Sequence, residues 1–451
     1  MSFTNVIEKL YNMDEIFFYL NYKWFHKTNT KWWIHVKYYS DQQKKDLTFC
    51  YDILGDVSRS FAEVIKNLPQ RLSIEIMVFY LMCRALDTVE DDITAFDGDK
   101  TKRAEYLKTF YKHFNTLSNV GETKYRPLLQ NYDRIETIFK LLNKQTQSII
   151  LDIVKRMGEG MATFVLSDYV INDISSYNEY CNIVAGLVGE GLVKIFINSE
   201  YETETFGNIV FDETKTSGIH SFGGLDKSMG LFLQKTNIIR DYFEDINSNK
   251  QWWPKEIWYK YKRNFKDMKH DILSKNCIND MVLDALKLIP DILHFHENIT
   301  DVSIFKFCAI PQIMAIATLD KCFDNPKIFT EYVKIRKGLA LKIMQTVKTM
   351  DDMYAWFYRF IVVIKNKIRY DDPNKNELID VCDKILIIIH KKYSPPLITT
   401  NMQIIITICI LSAIAVIVGI ASIKWIYGRF IKRLFHYYTI YHTTKLHRSS
   451  R

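Results

Sequence analysis

Glycine and proline are scarce in this sequence, whose 451 residues include 16 glycines and 9 prolines. Both residues interrupt helices and mark turns, so a fold rich in short strands and tight turns is disfavoured. Apolar residues instead recur at helical spacing from about residue 33 to about residue 368. The pattern predicts a large all-α domain without a sheet.

Paired cysteines and an export signal are also missing. The eight cysteines include no C-x-x-C pair, and several lie within apolar helical runs. This spacing favours neither a zinc site nor a disulfide framework, and it fits free thiols in a reducing compartment. The first residues lack a basic start followed by an apolar core. We therefore expect the main domain to lie in the cytosol.

Excess positive charge is confined to the C-terminal end. The formal net charge is +8, and residues 424–451 carry seven Lys or Arg side chains and no acid. The nearly neutral remainder disfavours nucleic acid as a partner. An uncharged apolar run at residues 402–423 precedes this tail and, at about 1.5 Å per residue, is long enough to cross a bilayer. The sequence predicts one membrane anchor and a tail that contacts lipid headgroups.

Breaks in the helical pattern predict the organisation of the chain. An Asp-Asp-Pro-Asn stretch at residues 371–374 and the pair Pro395-Pro396 interrupt it. The expected segments are an N-terminal helical preamble at 1–32, the main domain at 33–370, a linker helix at 371–401, the anchor at 402–423 and the basic tail at 424–451.

Two acidic motifs of the form D-x-x-E-D close long apolar helical runs. Their acidic residues are Asp87, Glu90 and Asp91 in the first motif and Asp241, Glu244 and Asp245 in the second. On a helix these positions share a face, where like charges repel by roughly a few tenths of a kcal/mol per pair. One such cluster fits a solvated acidic face equally well, but two of identical spacing favour a shared cation site. Mg²⁺ suits it, because this ion binds carboxylates together with substrate phosphates.

Two facing clusters predict a magnesium clamp at the mouth of an apolar cavity. That arrangement suits the ionisation of an allylic diphosphate, because metal ions and cations neutralise the departing pyrophosphate. Arg59, Arg84 and Arg240 lie close to the motifs or on flanking apolar runs. Each alone fits a structural ion pair, but together they offer planar forks suited to phosphate oxygens.

Longer stretches around these motifs resemble the squalene synthase family. They include Arg-Ala-Leu-Asp-Thr-Val-Glu-Asp-Asp at 84–92 and Leu-Gln-Lys-Thr-Asn-Ile-Ile-Arg-Asp-Tyr-Phe-Glu-Asp at 233–245. The other similar stretches, in the order expected of the family, are residues 58–61, 79–81, 180–189, 253–258, 307–312 and 334–338. The resemblance covers about residues 33–370 and extends to a C-terminal anchor of the expected kind.

This resemblance implies a class I isoprenoid synthase fold, a single all-α domain around a central cavity. The implied reaction joins two farnesyl diphosphates into presqualene diphosphate, which is then rearranged and reduced by NADPH to squalene. Implied cofactors are Mg²⁺, with Mn²⁺ as a substitute, and NADPH, with NADH as an alternative. No G-x-G-x-x-G motif is present, so the nicotinamide expectation rests on the resemblance alone. The family also implies a monomer on the endoplasmic reticulum membrane, with its domain facing the cytosol.

Site residues follow from the resemblance position by position. The implied magnesium and diphosphate ligands are Asp87, Glu90, Asp91, Asp241, Glu244 and Asp245. Tyr180 is the implied tyrosine of the first half-reaction, although alone it would fit an ordinary core tyrosine. The implied contacts of diphosphate and of the NADPH phosphates are Arg59, Arg84, Arg240, Lys334 and Arg336. The implied substrate pocket comprises Ser58, Ser60, Phe61, Gln234, Asn237, Phe307, Cys308 and Pro311.

One departure and two alternatives accompany this interpretation. The family often has Gly-Gly-Arg after the second motif, where this sequence has a segment ending in Lys250, which keeps the charge but not the fork. One alternative is a phytoene or dehydrosqualene synthase, which performs the condensation without NADPH. The basic segment at 334–338 and the predicted anchor disfavour it. The other is a non-catalytic membrane scaffold on the same fold, which the two intact acidic motifs disfavour.

Overall fold

The computed structural model describes residues 13–25, 31–58, 60–122, 124–167, 171–218, 222–248 and 250–394. Contacts divide the chain into one unit of Asp14–Ser394 and a second of Met1–Met13 with Pro395–Arg451. The predicted anchor and basic tail belong to the second unit and lie outside the described residues. Arg59, in the first unit, also lies outside the described residues.

The described part of the chain contains helices joined by loops and no strand, which confirms the predicted all-α fold class. The first α-helices are α1 Met13–Phe25, α2 Asp41–Ser58, α3 Ser60–Lys66, α4 Gln70–Asp91, α5 Lys100–Thr109, α6 Arg126–Gln130, α7 Tyr132–Phe139, α8 Lys144–Leu166, α9 Ile174–Cys181 and α10 Leu187–Asn198. The remaining ones are α11 Glu204–Val210, α12 Leu225–Arg240, α13 Tyr242–Asn247, α14 Lys255–Trp258, α15 Ile272–Leu286, α16 Ile289–Glu297, α17 Val302–Cys322, α18 Lys337–Thr346, α19 Met350–Lys367 and α20 Lys375–Lys392.

Polar caps fix where several of these helices begin. The side chain of Asn143 accepts the Thr146 N–H ahead of α8, and that of Asp271 accepts the Ser274 N–H ahead of α15. Asp173 and Ser176 form a reciprocal capping box at the start of α9. Because the first N–H groups of a helix have no partner within it, each cap contributes about 1 kcal/mol.

Helix α12 occupies the centre of the unit, where it contacts α9, α10, α15, α16 and α17. Its Lys235 is fully buried and pairs with Asp284 of α15 at 2.6 Å. A buried cation of this kind requires a partner, so the pair holds α12 in register against α15. The second acidic motif begins directly after α12, and this central helix therefore carries the motif.

Glycine allows the backbone before α10 to approach α12. A Cβ atom on Gly230 would lie 2.3 Å from the Ala185 carbonyl oxygen, closer than real contacts permit. Ala185 belongs to a π-helical turn, Asn182–Gly186, that joins α9 to α10. Turns of this type are rare in proteins, and those that occur often lie at functional sites. Here the turn follows Tyr180 by two residues.

The last described helix, α20, packs on α15, α16 and α19. Lys287 of the main body pairs with Glu377 at 2.7 Å, and Lys365 pairs with Asp383. The predicted linker segment thus includes a helix whose contacts belong to the Asp14–Ser394 unit.

Two helical stretches among the described residues are long and apolar enough to span a membrane, Ile174–Asn198 and Val302–Cys322. More than half of each apolar window is buried within the protein, which is typical of core helices in a large domain. Seven free cysteines are buried in the described chain: Cys50, Cys83, Cys181, Cys277, Cys308, Cys322 and Cys382.

Candidate active site

The first acidic motif forms the last turn of α4, as the spacing predicted. Glu90 is buried, Asp87 is partly exposed, and Asp91 is the outermost of the three, with about half of its side chain exposed at 53%. Acidic groups at a helix C-terminus face the negative end of the helix dipole. The carboxylates at this helix end therefore require a compensating positive charge nearby.

The second acidic motif does not continue one helix, because α12 ends at Arg240 and α13 begins at Tyr242. Between them Asp241 has φ −92° and ψ 11°, in the bridge region where active-site residues often occur. The Asp245 N–H still donates to the Asp241 carbonyl at 2.9 Å. The helical turn is thus kept locally, while the path of the chain changes at the first aspartate.

Lys250 joins the two motifs. Its ammonium group pairs with the Asp91 carboxylate, and its backbone N–H donates to the Asp245 carbonyl oxygen at 2.8 Å. Residues 159 positions apart in sequence thereby meet at one place. The sequence identified Lys250 only as a departure from the family pattern and did not predict this bridging role.

The electrostatics of the carboxylates show that they share this place. Burial raises the pKa of Asp245 to about 8, with the charges of Asp241 and Asp91 acting in the same direction. Burial likewise raises the pKa of Asp87 to about 6, and that of Glu90 well above its usual range. Carboxylates of both motifs are therefore crowded at one place, and a divalent cation would relieve their mutual repulsion.

The donor set fits a metal that arrives with its substrate. Among the described residues, no three His, Cys, Asp or Glu side chains are arranged as a ready metal cluster. Mg²⁺ does not need one, since it is held by one or two carboxylates together with water and substrate phosphates. The meeting of the two motifs at Lys250, which brings Asp91 and Asp245 to one place, is the structural observation that fits this chemistry.

Two arginines stand beside the motifs. Arg84 approaches Asp87 at 3.5 Å and lies over the rings of Tyr80 and Tyr125, at 5.9 and 5.7 Å from their centroids. Arg240 forms a bidentate pair with Asp241, in which Nε donates at 2.7 Å. Their guanidinium groups thus stand beside the acidic motifs, and their contact with diphosphate stays a prediction.

The basic segment at residues 334–338 contains two differently engaged cations. Lys334 lies over the Tyr332 ring at 5.2 Å, and Tyr332 meets Phe243 of the second motif edge-on at 5.5 Å. Arg336 instead forms a bidentate pair with Glu15 of α1, with Nε and Nη2 donating at 2.9 and 2.7 Å. No residue pattern predicted the contact between Arg336 and Glu15.

Tyr180 lies next to the segment that carries Lys250. Its ring stacks on Trp252 with centroids 4.3 Å apart and planes 13° from parallel, and Phe164 packs edge-on at 5.1 Å. The N–H groups of Lys255 and Glu256 donate to the carbonyls of Ile171 and Asn172, just before α9. One short segment therefore joins Tyr180 to both acidic motifs. Trp252 was not among the predicted site residues, although it stands within an aromatic-Trp-Pro pattern.

The predicted pocket residues are distributed over α2, α3, α12 and α17. Phe61 stacks near Tyr80 at 6.1 Å, and Phe307 meets Phe196 edge-on at 6.0 Å. Cys308 is buried and Pro311 is inside α17, whereas Gln234 and Asn237 are half-buried on α12. Ser58 is buried and donates to the Leu54 carbonyl at 2.5 Å. Arg59 and the side chain of Ser60 lie outside the described residues.

An open depression of about 540 Å³ is lined by none of the predicted site residues. It is lined by Asp320, Lys321, Phe323, Asp324, Asn325 and Lys367. Charged side chains dominate this lining, so it does not suit an isoprenoid chain.

An all-helical unit with two acidic motifs meeting beside buried aromatic rings defines the class I isoprenoid synthases. Sequence comparison supports this class, because the family model for squalene/phytoene synthase matches residues 54–338. The chain belongs to the squalene/phytoene synthase family.

Individual relatives make the likeness more specific. Squalene synthase from Solanum lycopersicum is 42% identical over 347 residues, which cover 75% of this chain and 79% of the relative. A solved structure described as the complex of TcSQS with the ligand E5700 has a TM-score of 0.69 and 33% identity, over 77% of this chain and 99% of that one. A relative named inactive squalene synthase 2, from Arabidopsis thaliana, is 40% identical over 337 residues, covering 73% of this chain and 77% of the relative.

Proposed function

We propose that this protein is a squalene synthase, a farnesyl-diphosphate farnesyltransferase with a reductive second step. It joins two farnesyl diphosphates to presqualene diphosphate, then rearranges and reduces this intermediate to squalene, and releases two diphosphates. The observation that carries the proposal is the meeting of the two D-x-x-E-D motifs through Lys250, in a chain 42% identical to a squalene synthase.

The chain's own residues divide the first half-reaction between them. Asp87, Asp91 and Asp245 are the carboxylates that would hold Mg²⁺, which would supply positive charge to stabilise the departing pyrophosphate. Arg84, Arg240 and Lys250 add fixed cations at the same place. These cations are already oriented by neighbouring carboxylates, so little reorganisation accompanies ionisation.

Aromatic rings serve the allyl cation. The stacked pair of Tyr180 and Trp252 is buried, with Phe164 against Tyr180, so these rings lie where little water reaches them. Ring faces attract cations, and exclusion of water protects a carbocation from hydrolysis. Phe307, Cys308 and Pro311 on α17 are the residues we assign to the apolar part of the cavity where reduction occurs.

NADPH is the proposed reductant, with NADH as the alternative. The support is the cationic pair Lys334 and Arg336, of which Lys334 is connected to the second motif through Tyr332 and Phe243. A dinucleotide held by a few cations against a helical surface requires no Rossmann unit. Planar guanidinium groups suit its phosphates.

The proposal includes attachment to the endoplasmic reticulum membrane. The uncharged run at residues 402–423 and the basic residues that follow support a single anchor, with the domain of Asp14–Ser394 on the cytosolic side. We further propose that the protein is a monomer and binds no nucleic acid. Retention of the full chain in the membrane pellet after alkaline carbonate washing tests the anchor, and release into the supernatant contradicts it.

The function is tested by supplying purified enzyme with farnesyl diphosphate and Mg²⁺, with and without NADPH. We expect presqualene diphosphate alone without NADPH, squalene with it, and no product after chelation of the metal. Dehydrosqualene or phytoene-type products in the presence of NADPH would indicate the condensing relatives instead. Absence of any product would assign the chain to a non-catalytic group, as for the inactive Arabidopsis relative.

A further inference from the structure

Helix α1 and the basic segment at 334–338 contact one another across almost the whole sequence. Glu15 of α1 accepts hydrogen bonds from Nε and Nη2 of Arg336, although the two residues are 321 positions apart. Only 8% of the Glu15 side chain is exposed, whereas 40% of the Arg336 side chain is exposed. The carboxylate thus lies beneath the helix, while the guanidinium remains accessible at the edge.

Further contacts hold α1 in this position. Asn21 donates to Gln345 of α18 at 3.1 Å, and Gln345 in turn donates to the Phe18 carbonyl at 3.1 Å. The Tyr22 hydroxyl bonds Glu63 of α3. Helix α1 therefore lies across α18 and α3, two helices that begin directly after predicted phosphate contacts, Arg336 and Arg59.

Close backbone packing supports the same arrangement. Gly338 lies against Glu15, and a Cβ atom on this glycine would be 2.6 Å from the Glu15 Cβ and 3.1 Å from its carbonyl oxygen. The basic segment ends in a glycine at the point where α1 requires space. Contact between α1 and this segment thus involves the backbone as well as one ion pair.

The chemistry of the Glu15 contact matches that of a phosphate. A carboxylate and a phosphate both present two oxygens to the planar fork of an arginine, and both use parallel N–H groups. Glu15 occupies two of the donors that Arg336 would offer to a cofactor phosphate. Lys334 and Lys337 flank Arg336 and are exposed, so an incoming anion is attracted to the same edge.

We propose that α1 is an intramolecular strap whose Glu15 carboxylate competes with the phosphate of the nicotinamide cofactor for Arg336. The inference rests on the proposed function, which supplies the cofactor. Cofactor binding requires Glu15 to leave Arg336, so the apparent affinity equals the intrinsic affinity multiplied by the fraction of molecules in which the strap is displaced. The first half-reaction needs no cofactor and is independent of the strap.

The kinetic test uses Glu15→Gln, which removes the charge and keeps the shape. We expect the KM for NADPH to fall by about three- to tenfold, the range for losing a partly buried ion pair. Presqualene diphosphate formation without NADPH stays unchanged. Glu105→Gln, on the exposed face of α5, is the matched control and leaves the KM for NADPH unchanged. An unchanged or raised KM in Glu15→Gln overturns the proposal.

A second measurement uses the unaltered full chain and does not depend on the folding of a variant. Binding of NADP⁺ should increase amide hydrogen exchange within residues 13–25, because the strap is displaced. Asn21→Ala, which loosens the strap without touching Arg336, should lower the KM for NADPH in the same direction. If NADP⁺ binds and hydrogen exchange in α1 stays unchanged, the strap proposal is wrong, while the proposed function is unaffected. Failure of the wild-type chain to bind NADP⁺ and to make squalene contradicts the proposed function itself.

Discussion

Single residues decide how much negative charge the site can hold. Lys250 is the cation that reaches from the second motif to Asp91, and the Asp91 charge in turn raises the pKa of Lys250. Its contribution is partly screened, because about half of the Asp91 side chain is exposed. We therefore expect Lys250 to matter more for binding diphosphate than for folding.

Replacing Lys250 separates these two roles. In Lys250→Met we expect the KM for farnesyl diphosphate to rise about tenfold, since one charge-assisted contact near the leaving group is lost. Lys250→Arg should restore binding, because the guanidinium keeps the charge and adds a fork. The exposed Lys108→Met on α5 provides the control. A KM that is unchanged in Lys250→Met would show that the ammonium group does not face the diphosphate.

His296 gives the domain a pH dependence that is separate from the site. It is buried at the end of α16, its Nδ1–H donates to the Ile292 carbonyl at 2.7 Å, and Phe295 and Phe305 pack on it. Burial lowers its pKa to about 4. As the pH falls below about 6.5, His296 is protonated in the unfolded chain but stays neutral in the folded one. The unfolding free energy is therefore highest above about pH 6.5 and decreases until the pH reaches about 4.

Chemical denaturation at two pH values measures this effect. Between pH 7 and pH 5 the neutral burial of His296 should account for about 2 kcal/mol of lost unfolding free energy. In His296→Gln the loss over the same interval should be smaller by that amount, because glutamine does not titrate. Equal losses of unfolding free energy in both proteins would show that His296 takes up its proton at the same pH in the folded and the unfolded chain.

At the scale of elements, close approach between α12 and the π turn at Asn182–Gly186 positions the site. Gly230→Ala would place a methyl group 2.3 Å from the Ala185 carbonyl, so the two elements must separate. Overpacking of this kind costs about 1–3 kcal/mol. Gly55→Ala on α2, where the nearest atom is the flexible Lys66 Nζ at 3.6 Å, is the control and should be neutral or slightly stabilising. Equal melting temperatures for the two variants would contradict the close packing.

Periodicity predicted the helical class and the place of one motif, but not every break in a helix. Apolar spacing predicted an all-α domain and put the first motif at the end of a helical run, where it forms the last turn of α4. It did not predict the interruption at Asp241, because the backbone there departs from the helix under tertiary constraints while the residue pattern continues. Likewise, no local pattern reports that Lys250 reaches Asp91 or that Trp252 stacks on Tyr180.

At the scale of the whole molecule, the family resemblance established the class, and long-range contacts supplied what the sequence could not. The pair of Glu15 and Arg336 joins the start of the main unit to the basic segment at 334–338, which no periodicity indicates. The roles of Arg59, of the anchor at 402–423 and of the basic tail remain predictions from the sequence, since they lie outside the described residues. The predicted metal ligands stay a prediction too, although their crowding and raised pKa values favour it.

The most direct measurement is a double-mutant cycle on one aspartate from each motif. Asp91→Asn and Asp245→Asn are assayed singly and together for presqualene diphosphate formation, with helical circular dichroism as a check on folding. If both carboxylates hold one metal-bound diphosphate, each single change lowers turnover by at least about a hundredfold, and the double variant is little worse than the poorer single one. Retained turnover in either single variant, or losses that multiply independently, would contradict a shared site.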